Sequence, residues 1–494
     1  MFSFFVFVYI VNASFLVFMG LHAWLACLQF RKGRLKKPLK INESISFPKL
    51  LIQLPLYNES TTIIDLLSSI DKLEYPNNLL HIQILDDSND DTTSIISNWL
   101  KLKKNHCYSL VRRESREGFK AGALKYGMNL RPEDFILILD SDFRPKSDFI
   151  LKTFPTLLSN EDLALVQTRW SYTNSDENFF TRFQAVGMDG HFAIEQPARA
   201  WNNLFMNFNG TAGIWRRKAI IDGGNWQGDT LTEDLDLSYR VQLKNWKMTY
   251  LLDVDCPSEI PNTIFAFKSQ QFRWAKGSIQ TAKKLLIKIF RSKYPIALKI
   301  EALFHLTHYL IHPVLILNFI IGCFLLLNPQ QLNFIWVEKL MFLILFAAMG
   351  PGVLYKYSQN VLNKHPKGGV FFYLAMVSLG CGMAWNNTRA VFEAFIGKKS
   401  AFIRTPKQGD DQTKYKANID YHFLIELSLS SLGLYTLSKL GILYFYLFPF
   451  LSLYTIGFMV IGLKSALEVY SQVKFSKNVV KNIDSNEISV ISRS

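Results

Sequence analysis

Apolar residues are distributed unevenly along this chain and divide it into three parts. The first thirty residues and most of the chain after Ile300 are apolar, whereas the stretch Leu50–Leu285 has the mixed composition of a soluble domain. Phe2–Leu28 contains no Lys, Arg, Asp or Glu and is long enough to span a bilayer. The pattern predicts one soluble domain set between membrane regions.

Within the soluble stretch, short apolar runs alternate with segments of helical periodicity. The predicted strands are Leu50–Leu54, His81–Leu85, Tyr108–Arg112, Phe135–Leu139 and Leu163–Thr168. The predicted helices between them are Thr61–Leu73, Thr92–Lys104 and Phe119–Met128. Alternation of this kind indicates a Rossmann-like α/β sheet.

After Leu285 the chain returns to long apolar stretches. Four of them are predicted to span the membrane: Ala302–Leu327, Phe334–Leu354, Tyr421–Leu437 and Tyr444–Leu463. A further stretch, Gly368–Ile396, is also hydrophobic, but basic clusters flank it on both sides and Asn386, Arg389 and Glu393 interrupt it. A single crossing would leave one basic cluster outside, so we predict a helix that lies on the cytoplasmic surface. Together with the N-terminal stretch, this predicts five spans rather than six.

The chain is basic, with a net charge of +15 and a pI near 9.4. Nucleic-acid binding would explain such a charge, but a membrane protein explains it more simply, because Lys and Arg gather on cytoplasmic loops. The basic block Arg31–Lys37 directly follows the first predicted span. We therefore predict the lipid bilayer and no nucleic acid as a partner, with the soluble domain cytosolic and the N-terminus outside.

Asp140 and Asp142 follow directly after the fully apolar strand Phe135–Leu139. Ligands of open α/β sheets bind at the carboxyl ends of such strands. Two neighbouring carboxylates there would repel each other unless a cation lies between them. Mg²⁺ or Mn²⁺ suits this role, since hard cations take oxygen ligands from carboxylates and substrate phosphates. The alternative is a helix cap or a turn, which Asp-Ser-Asp also favours.

Three further clusters could carry chemistry, and each has a structural alternative. Asp86–Ser88 ends a predicted strand and could contact a nucleotide base or ribose, or could form a turn. Thr232–Asp234 suits a helix start with acids in its first turn, which leaves Asp234 available as a general base. Gln270–Trp274 combines Gln and Arg, which can hold a diphosphate, with a Trp that can stack on a sugar. Its alternative is a basic amphipathic helix at the membrane surface.

In this order the four clusters resemble the pattern of the processive family 2 glycosyltransferases: Asp, Asp-x-Asp, Thr-Glu-Asp and Gln-x-x-Arg-Trp. The soluble domain, over about Leu50–Leu285, is similar to plant glucomannan 4-β-mannosyltransferases and to the related xyloglucan-backbone glucan synthases. The stretches that carry this resemblance are Leu85–Ser88, Phe119–Leu124, Gln167–Trp170, His191–Gln196 and Phe208–Arg216.

The resemblance implies a GT-A fold (Rossmann-like α/β) for the cytosolic domain and a role for each matching residue. The implied catalytic base is Asp234, and the implied metal ligands for Mg²⁺ or Mn²⁺ are Asp140 and Asp142. The implied nucleotide contacts are Asp86, Asp87, Lys120, Asp140, Gln270 and Arg273. The implied acceptor contacts are Trp274, Phe208, Gly210, Thr211 and Glu233.

Phe402–Lys407 resembles the gating loop of cellulose synthase, whose pattern is Phe-x-Val-Thr-x-Lys. Phe402, Thr405 and Lys407 match this pattern, and Arg404 stands in place of the Val. The resemblance therefore implies a gating-like loop directly after the interfacial helix.

The implied function is that of a membrane-embedded, inverting and metal-dependent hexosyltransferase. It would polymerise a β-linked polysaccharide (β-1,4-glucan, mannan or glucomannan) on a growing β-glycan from UDP-glucose or GDP-mannose, and export the product. It would lie in a plasma or inner membrane, or in the Golgi of a eukaryote, with accessory export subunits as candidate partners. One alternative is a non-processive enzyme that glycosylates a lipid, as ceramide glucosyltransferases do. Another is a transporter or scaffold with a degenerate transferase domain.

This interpretation predicts four regions of the chain. They are an N-terminal transmembrane anchor (1–30), a cytosolic transferase domain ending in interfacial helices (31–285), a membrane region (286–464) and a cytosolic tail (465–494). The membrane region would include the interfacial helix (368–396) and the gating-like loop (397–413).

Overall fold

The computed structural model of the chain describes residues 2–35, 47–103, 107–328, 346–398, 421–440 and 448–491. Within these residues one sheet is formed by β1 (Leu50–Leu56), β2 (Leu80–Asp86), β3 (Cys107–Val111), β4 (Phe135–Ile138), β5 (Leu163–Tyr172), β6 (Gly213–Arg216) and β7 (Lys247–Ser258). The helices up to the end of the soluble part are α1 (Phe2–Arg34), α2 (Ile63–Ile70), α3 (Thr92–Lys101), α4 (Phe119–Asn129), α5 (Phe149–Leu158), α6 (Phe179–Asp189), α7 (Gln196–Trp201), α8 (Arg217–Asp222), α9 (Glu233–Gln242) and α10 (Ile264–Arg291). They are followed by α11 (Ile296–Thr307), α12 (Ile311–Leu326), α13 (Gly350–Val361), α14 (Gly369–Gly382), α15 (Ala384–Phe395), α16 (Phe423–Lys439) and α17 (Phe448–Ile491). Asn77–Leu79 and His308–Leu310 are short 3₁₀ helices.

The strand order is β3-β2-β1-β4-β6-β5-β7. Strands β1 to β4 run parallel to one another, β6 runs antiparallel to both β4 and β5, and β7 is parallel to β5. The register pairs Leu56 of β1 with Asp86 of β2, so these two strands end at the same edge. Parallel strands therefore bring several predicted site residues to one side of the sheet.

The two faces of the sheet are covered by separate apolar layers. Leu50, Ile52 and Leu54 pack on one face with α2, α3 and α5, while Leu51 and Ile136 pack on the other with α4. This alternation follows from the two-residue period of a strand. Burial of both faces is typical of α/β domains, and it explains why the strands read as continuous apolar runs.

The predicted α/β class is confirmed, and each predicted strand and helix of the soluble part overlaps an observed one within a few residues. Strands β6 and β7 were not predicted. β6 has only four residues and begins at Gly213, too short for a clear period. β7 contains Pro257 and pairs with β5 through two register shifts, so its alternation is broken.

Helix α6 passes into α7 through a π-helical turn, Gly190–Glu195, which makes one unbroken rod from Phe179 to Trp201. A capping box formed by Asn178 and Thr181 starts this rod. At its far end the Asn202 amide donates to the carbonyl of Gln29 in α1 at 2.8 Å, and the Trp201 indole donates to the Tyr250 carbonyl at 3.3 Å. The rod therefore joins the sheet to the first apolar helix.

Four helical stretches among the described residues are long and apolar enough to cross a membrane, and they fit a membrane protein. They are Ser3–Arg34, Ile296–Leu326, Gly369–Phe395 and Pro449–Lys474. The first, second and fourth overlap predicted spans. The predicted span Phe334–Leu354 lies mostly outside the described residues, and Tyr421–Leu437 corresponds to α16, a helix of 17 residues.

Gly369–Phe395 is the stretch for which an interfacial position is predicted. It is not one straight helix, because α14 ends at Gly382 and α15 begins at Ala384. α14 contains no charged residue, whereas α15 carries Arg389 and Glu393 and packs along α10. The apolar first half accounts for the hydropathy of the whole stretch, and the number of spans and their orientation stay predictions.

Candidate active site

A cavity of about 220 Å³ lies at the carboxyl edge of β1, β2 and β4. This is the edge at which Tyr57, Asp87 and Asp140 leave their strands, as the strand-end rule predicts for a ligand site. Ten of the predicted site residues line the cavity: Asp87, Lys120, Asp140, Asp142, Gly210, Glu233, Asp234, Gln270, Arg273 and Trp274. Residues almost 190 positions apart are thus gathered in one space.

Three predicted residues lie behind the wall of this cavity. Asp86 is fully buried and accepts hydrogen bonds from the Ser88 backbone N–H at 3.0 Å and the Thr93 hydroxyl at 2.5 Å, so its side chain shapes the loop after β2. Phe208 is buried among aromatic rings of the core. Thr211 is buried and accepts a hydrogen bond from the Asp140 backbone N–H at 2.9 Å. Their predicted contacts with substrate stay predictions.

The predicted gating-like loop lies outside the described residues. Phe402, Thr405 and Lys407 all fall between residues 399 and 420. Only the helix that precedes it, α15, is described, and it ends at Phe395.

Lys120 connects Asp140, a predicted metal ligand, to Gly210 in the loop 209–212, which we call the acceptor loop after its predicted role. Its ammonium donates to Asp140 Oδ1 at 2.6 Å and to the Gly210 carbonyl at 2.9 Å. Removal from water lowers the pKa of Lys120, but the nearby carboxylates of Asp140 and Glu233 outweigh this and raise it above its ordinary value. Lys120 therefore stays charged at the position where a phosphate would meet it.

The loop from Asn209 to Ala212 is fixed by Gln167, a buried glutamine in the middle of β5. The Gln167 amide donates to the carbonyls of Thr211 and Ala212, and its oxygen accepts from the Asn209 backbone N–H at 3.1 Å. Gly210 has a φ of +85°, and a Cβ there would approach Asp234 Oδ2 to 3.1 Å. Glycine is thus required both by the backbone and by the close approach of this loop to the predicted base.

Helix α9 presents Glu233 and Asp234 to the cavity from its first turn. Removal from water raises the pKa of Asp234 to about 7, and the neighbouring Glu233 carboxylate adds to the shift. Removal from water also raises the pKa of Glu233. A carboxylate with a pKa near neutrality can take and release a proton at physiological pH, which is the property of a general base.

Helix α10 closes the opposite side of the cavity with Gln270, Arg273 and Trp274. Gln270 Oε1 is buried and has no hydrogen-bond partner among the described residues. Removal from water lowers the pKa of Arg273, against the effect of Glu233 and Asp140, which raise it. Gly277 allows α10 to pack directly on Thr232, because a Cβ at 277 would lie 2.5 Å from that side chain. This contact sets the distance between α10 and the base.

Asp140 and Asp142 offer the oxygen donors that a hard divalent cation needs. No group of three or more His, Cys, Asp or Glu side chains that could hold a metal occurs in the described part of the chain. Two carboxylates completed by substrate phosphate oxygens are a common arrangement for Mg²⁺, so the donor set fits a cation that binds together with a diphosphate.

Sequence reasoning missed several residues of the cavity. The Arg116 guanidinium lies 3.2 Å from the centre of the Tyr57 ring, and Arg113 holds Asp87 through two hydrogen bonds. Trp170, at the end of β5, also lines the cavity and stacks on Phe192. Tyr57 could have been found, because it directly follows β1 at the same edge as Asp87. Arg113 and Arg116 follow β3, at the edge of the sheet. Their partners, Asp87 and Tyr57, are close to them only in three dimensions.

Comparisons with known proteins give one family match and close relatives. Residues 135–349 match the model described as "Glycosyl transferase family group 2". Glucomannan 4-beta-mannosyltransferase 1 of Oryza sativa subsp. japonica is 41% identical over 256 residues, 50% of this chain and 49% of that protein. Glucomannan 4-beta-mannosyltransferase 2 of Arabidopsis thaliana is 38% identical over 291 residues, 56% of this chain and 54% of that protein. The chain thus spans about half the length of the curated relatives it matches.

Among solved structures, mannosyltransferase PcManGT from Pyrobaculum calidifontis, in complex with GDP-Man and Mn²⁺, superposes with a TM-score of 0.55 at 18% identity. The match covers 79% of this chain and 99% of that chain. At this identity the likeness concerns the fold, and it confirms the predicted GT-A-like class.

Proposed function

Because the chain carries a glycosyltransferase family 2 domain, we propose that it is a membrane glycosyltransferase that builds a β-linked polysaccharide from a nucleotide sugar. The observation that carries this proposal is the single cavity shared by Asp140, Asp142, Asp234 and Trp274. Diphosphate-binding, base and sugar-stacking side chains are what transfer to a hydroxyl requires. A degenerate domain would have no reason to keep all of them in one space.

In the proposed reaction, Asp234 removes the proton from an acceptor hydroxyl. The acceptor oxygen then forms a bond to the anomeric carbon of the donor sugar, while the bond from that carbon to the diphosphate breaks. The nucleoside diphosphate leaves with the bonding electrons, and the proton stays on Asp234. Attack from the face opposite the leaving group inverts the configuration, so an α-linked donor gives a β-linked product.

The charge that develops on the leaving diphosphate is met by cationic and hydrogen-bonding side chains. Lys120 lies beside Asp140, while Arg273 and Gln270 face the cavity from α10. A divalent cation held by Asp140 and Asp142 would supply further neutralisation of this charge. Gln270 Oε1 is an acceptor in need of a donor, which a hydroxyl of the bound substrate can provide.

We propose GDP-mannose as the first donor to test and UDP-glucose as the second. The named activity of both curated relatives, glucomannan 4-beta-mannosyltransferase, supports mannose. We further propose that the product is exported through the apolar helices beside the domain, with accessory export subunits as candidate partners. Processive synthesis is favoured over a single transfer to a lipid because Trp274 offers a platform for the terminal sugar of a chain.

The test is incubation of washed membranes with each labelled donor, followed by linkage analysis of the product. We expect an insoluble β-linked ladder from at least one donor, none in the Asp234→Asn variant, and none in EDTA until Mg²⁺ or Mn²⁺ is restored. If the product were a single labelled glycolipid, the enzyme would be the non-processive, lipid-glycosylating alternative and not a polymerase. No transfer from either donor by a folded enzyme would refute the proposal, and full turnover in EDTA would remove the metal from it.

Trp274→Ala tests the acceptor platform separately from the donor site. We expect shorter products with donor binding unchanged, because the substitution removes the stacking surface and leaves Lys120 and Asp140 in place. The matched control is Trp246→Ala. Trp246 lies outside the cavity, and its indole N–H donates to Asp222. Unaltered product length in Trp274→Ala would count against stacking.

A further inference from the structure

A second cavity, of about 330 Å³, lies between α6 and the segment that joins α13 to α14. Its basic lining residues are Arg182, Lys364, His365 and Lys367. This cavity is separate from the transferase site, and nothing in the proposed reaction uses it. It opens where the polar segment 362–368 meets the first turn of the apolar helix α14.

The charges around this cavity are arranged to leave a surplus of cations. Asp189 is fully buried and accepts from the Lys364 ammonium and the Gln359 amide, both at 2.9 Å. This holds the basic segment against the end of α6. Arg182 pairs with the exposed Asp176 at 3.4 Å. Lys367 is exposed, so three permanent cations face two carboxylates and the cavity favours an anion.

An acceptor in the wall of this cavity still lacks a donor. Asp189 Oδ1 is buried and has no hydrogen-bond partner among the described residues, although Oδ2 of the same carboxylate has two. Buried acceptors are almost always satisfied in folded proteins. A ligand for this cavity should therefore carry a hydroxyl donor as well as a negative charge.

Large exposed apolar side chains lie within a few residues of the cavity lining along the chain. Val370 and Phe371 follow directly after the basic segment and are 65% and 78% exposed, and Phe179 at the start of α6 is 52% exposed. Phe179 meets the buried Phe372 edge to face, with ring centres 5.9 Å apart, so the start of α6 packs against the first turn of α14. Exposed patches of this kind mark surfaces that bind a protein or a membrane. In a chain with four helical stretches apolar enough to cross a bilayer among its described residues, contact with lipid is the simpler explanation.

We propose that this cavity binds the headgroup of an anionic phospholipid. Lys364, Lys367 and Arg182 would receive its phosphodiester, and a headgroup hydroxyl would donate to Asp189 Oδ1. The acyl chains would lie over Val370, Phe371 and Phe179. Basic pockets beside apolar helices at the cytoplasmic surface are suited to such headgroups. The inference requires only that the chain lies in a membrane, and it is independent of the transferase reaction.

The test is titration of the detergent-solubilised full chain with short-chain lipids, followed by thermophoresis or native mass spectrometry. We expect phosphatidylglycerol to bind and phosphatidylcholine to bind at least about tenfold more weakly, since its headgroup has no net charge. Lys367→Gln should weaken the binding of phosphatidylglycerol about fivefold. Lys367 is exposed and its loss should not unfold the protein, whereas Lys364→Gln also removes a contact with Asp189.

The matched control is the double variant Arg291→Gln, Lys293→Gln, which removes two exposed charges next to the membrane helices but away from the cavity. An equal loss of affinity in this control and in Lys367→Gln would overturn a specific site in favour of general surface charge. Soluble glycerol phosphate that binds as tightly as phosphatidylglycerol would overturn the membrane source of the ligand. Phosphatidylmethanol, which has the same charge and no headgroup hydroxyl, should bind more weakly, and equal binding would overturn the role of Asp189.

Discussion

Charged side chains cluster in two regions of this molecule, as neighbouring acids in one region and as ion pairs in the other. In the transferase cavity, Glu233 and Asp234 are neighbours of like charge whose pKa values are raised by removal from water. Where α10 meets the apolar helices α16 and α17, the Lys268 ammonium is buried and donates to both oxygens of Glu426 at 2.7 Å and to the Ser465 hydroxyl at 2.8 Å. Lys276 pairs with Glu393 of α15 at 2.8 Å in the same manner.

The difference separates charged side chains that are available to a substrate from charged side chains that stabilise the packing of helices. All three donors of Lys268 are used within the protein, so nothing remains for a substrate, and the pair fixes the position of α10 against α16 and α17. In the cavity, by contrast, Gln270 Oε1 has no hydrogen-bond partner in the part of the chain that the structure describes, and two neighbouring acids repel each other. Lys268 and the cavity residue Gln270 are only two positions apart on α10, so the contrast indicates which face of this helix lies toward the candidate active site.

The largest expected effect comes from removing the proton acceptor. Asp234→Asn should lower kcat about 10²–10⁴-fold, because the amide cannot take the acceptor proton. Donor affinity should change little, and this can be measured by nucleotide-sugar binding to the purified enzyme. Asp222→Asn, at an acid outside the cavity, serves as the control. Normal polymer synthesis by Asp234→Asn would show that another group accepts the proton.

The next effect should be on stability rather than on chemistry. Lys268→Met leaves the Glu426 carboxylate buried without its cation, which should cost about 3–5 kcal/mol. Replacing the pair together, as Lys268→Met with Glu426→Leu, should restore most of the loss because no isolated charge remains. Thermal unfolding in detergent measures both variants. If the single variant were as stable as the parent, the pair would not be what holds α10 in place.

A smaller effect should follow from a methyl group at the acceptor loop. Gly210→Ala combines a positive φ with close approach to Asp234 and Lys120, and should cost about 1–3 kcal/mol in strain or in displaced catalytic groups. Gly187→Ala is the control. Gly187 lies inside helix α6, and among the described residues a Cβ there would meet only Met376, at 3.7 Å. We expect transferase activity to fall in the first variant and to persist in the second. Equal activities would mean that the loop can move away from the base.

The finest test of the comparison is the pH dependence. With the pKa of Asp234 near 7, the base is protonated below that pH, so kcat/KM should fall on the acid side and level off above it. Glu233→Gln removes the carboxylate that helps to raise this pKa, so the acid limb should move to lower pH. A pH–rate titration of both enzymes measures this. If the acid side of the pH–rate profile did not move, Glu233 would not contribute to the raised pKa of Asp234.

Much of the fold was predictable because its signals are local. The apolar strands of the sheet, buried on both faces, can be predicted directly from the sequence. The strand-end rule predicts a ligand site at Asp140 and Asp142, and both residues line the cavity together with Asp87. β6 escaped because four residues starting at a glycine carry no period. Its antiparallel pairing with β4 and β5 depends on partners distant in sequence.

The site was predictable where a side chain type implies its chemistry and not where a partner decides it. Asp86 and Asp87 are identical in type and adjacent, yet one is buried by Ser88 and Thr93 while the other is held by Arg113 at the cavity. Lys268 and Arg273 lie on the same basic helix, and only their neighbours separate a structural ion pair from a residue that lines the candidate active site. Such distinctions arise from contacts between residues that can be more than 150 positions apart.

The π-helical turn at Gly190–Glu195 lets the rod from Phe179 to Trp201 absorb a change in its own length. Such a turn accommodates one residue more than an α-helix needs, so a one-residue deletion there should restore regular winding and leave the side chains beyond it facing as before. The same deletion in the regular winding on either side of the turn would swing every side chain beyond it by about 100° around the axis. Arg199 would then turn away from Glu301 and Asn202 away from α1, although no residue of either contact had been altered. Along this rod, the position of a gap in a sequence alignment should be more informative than a mismatch.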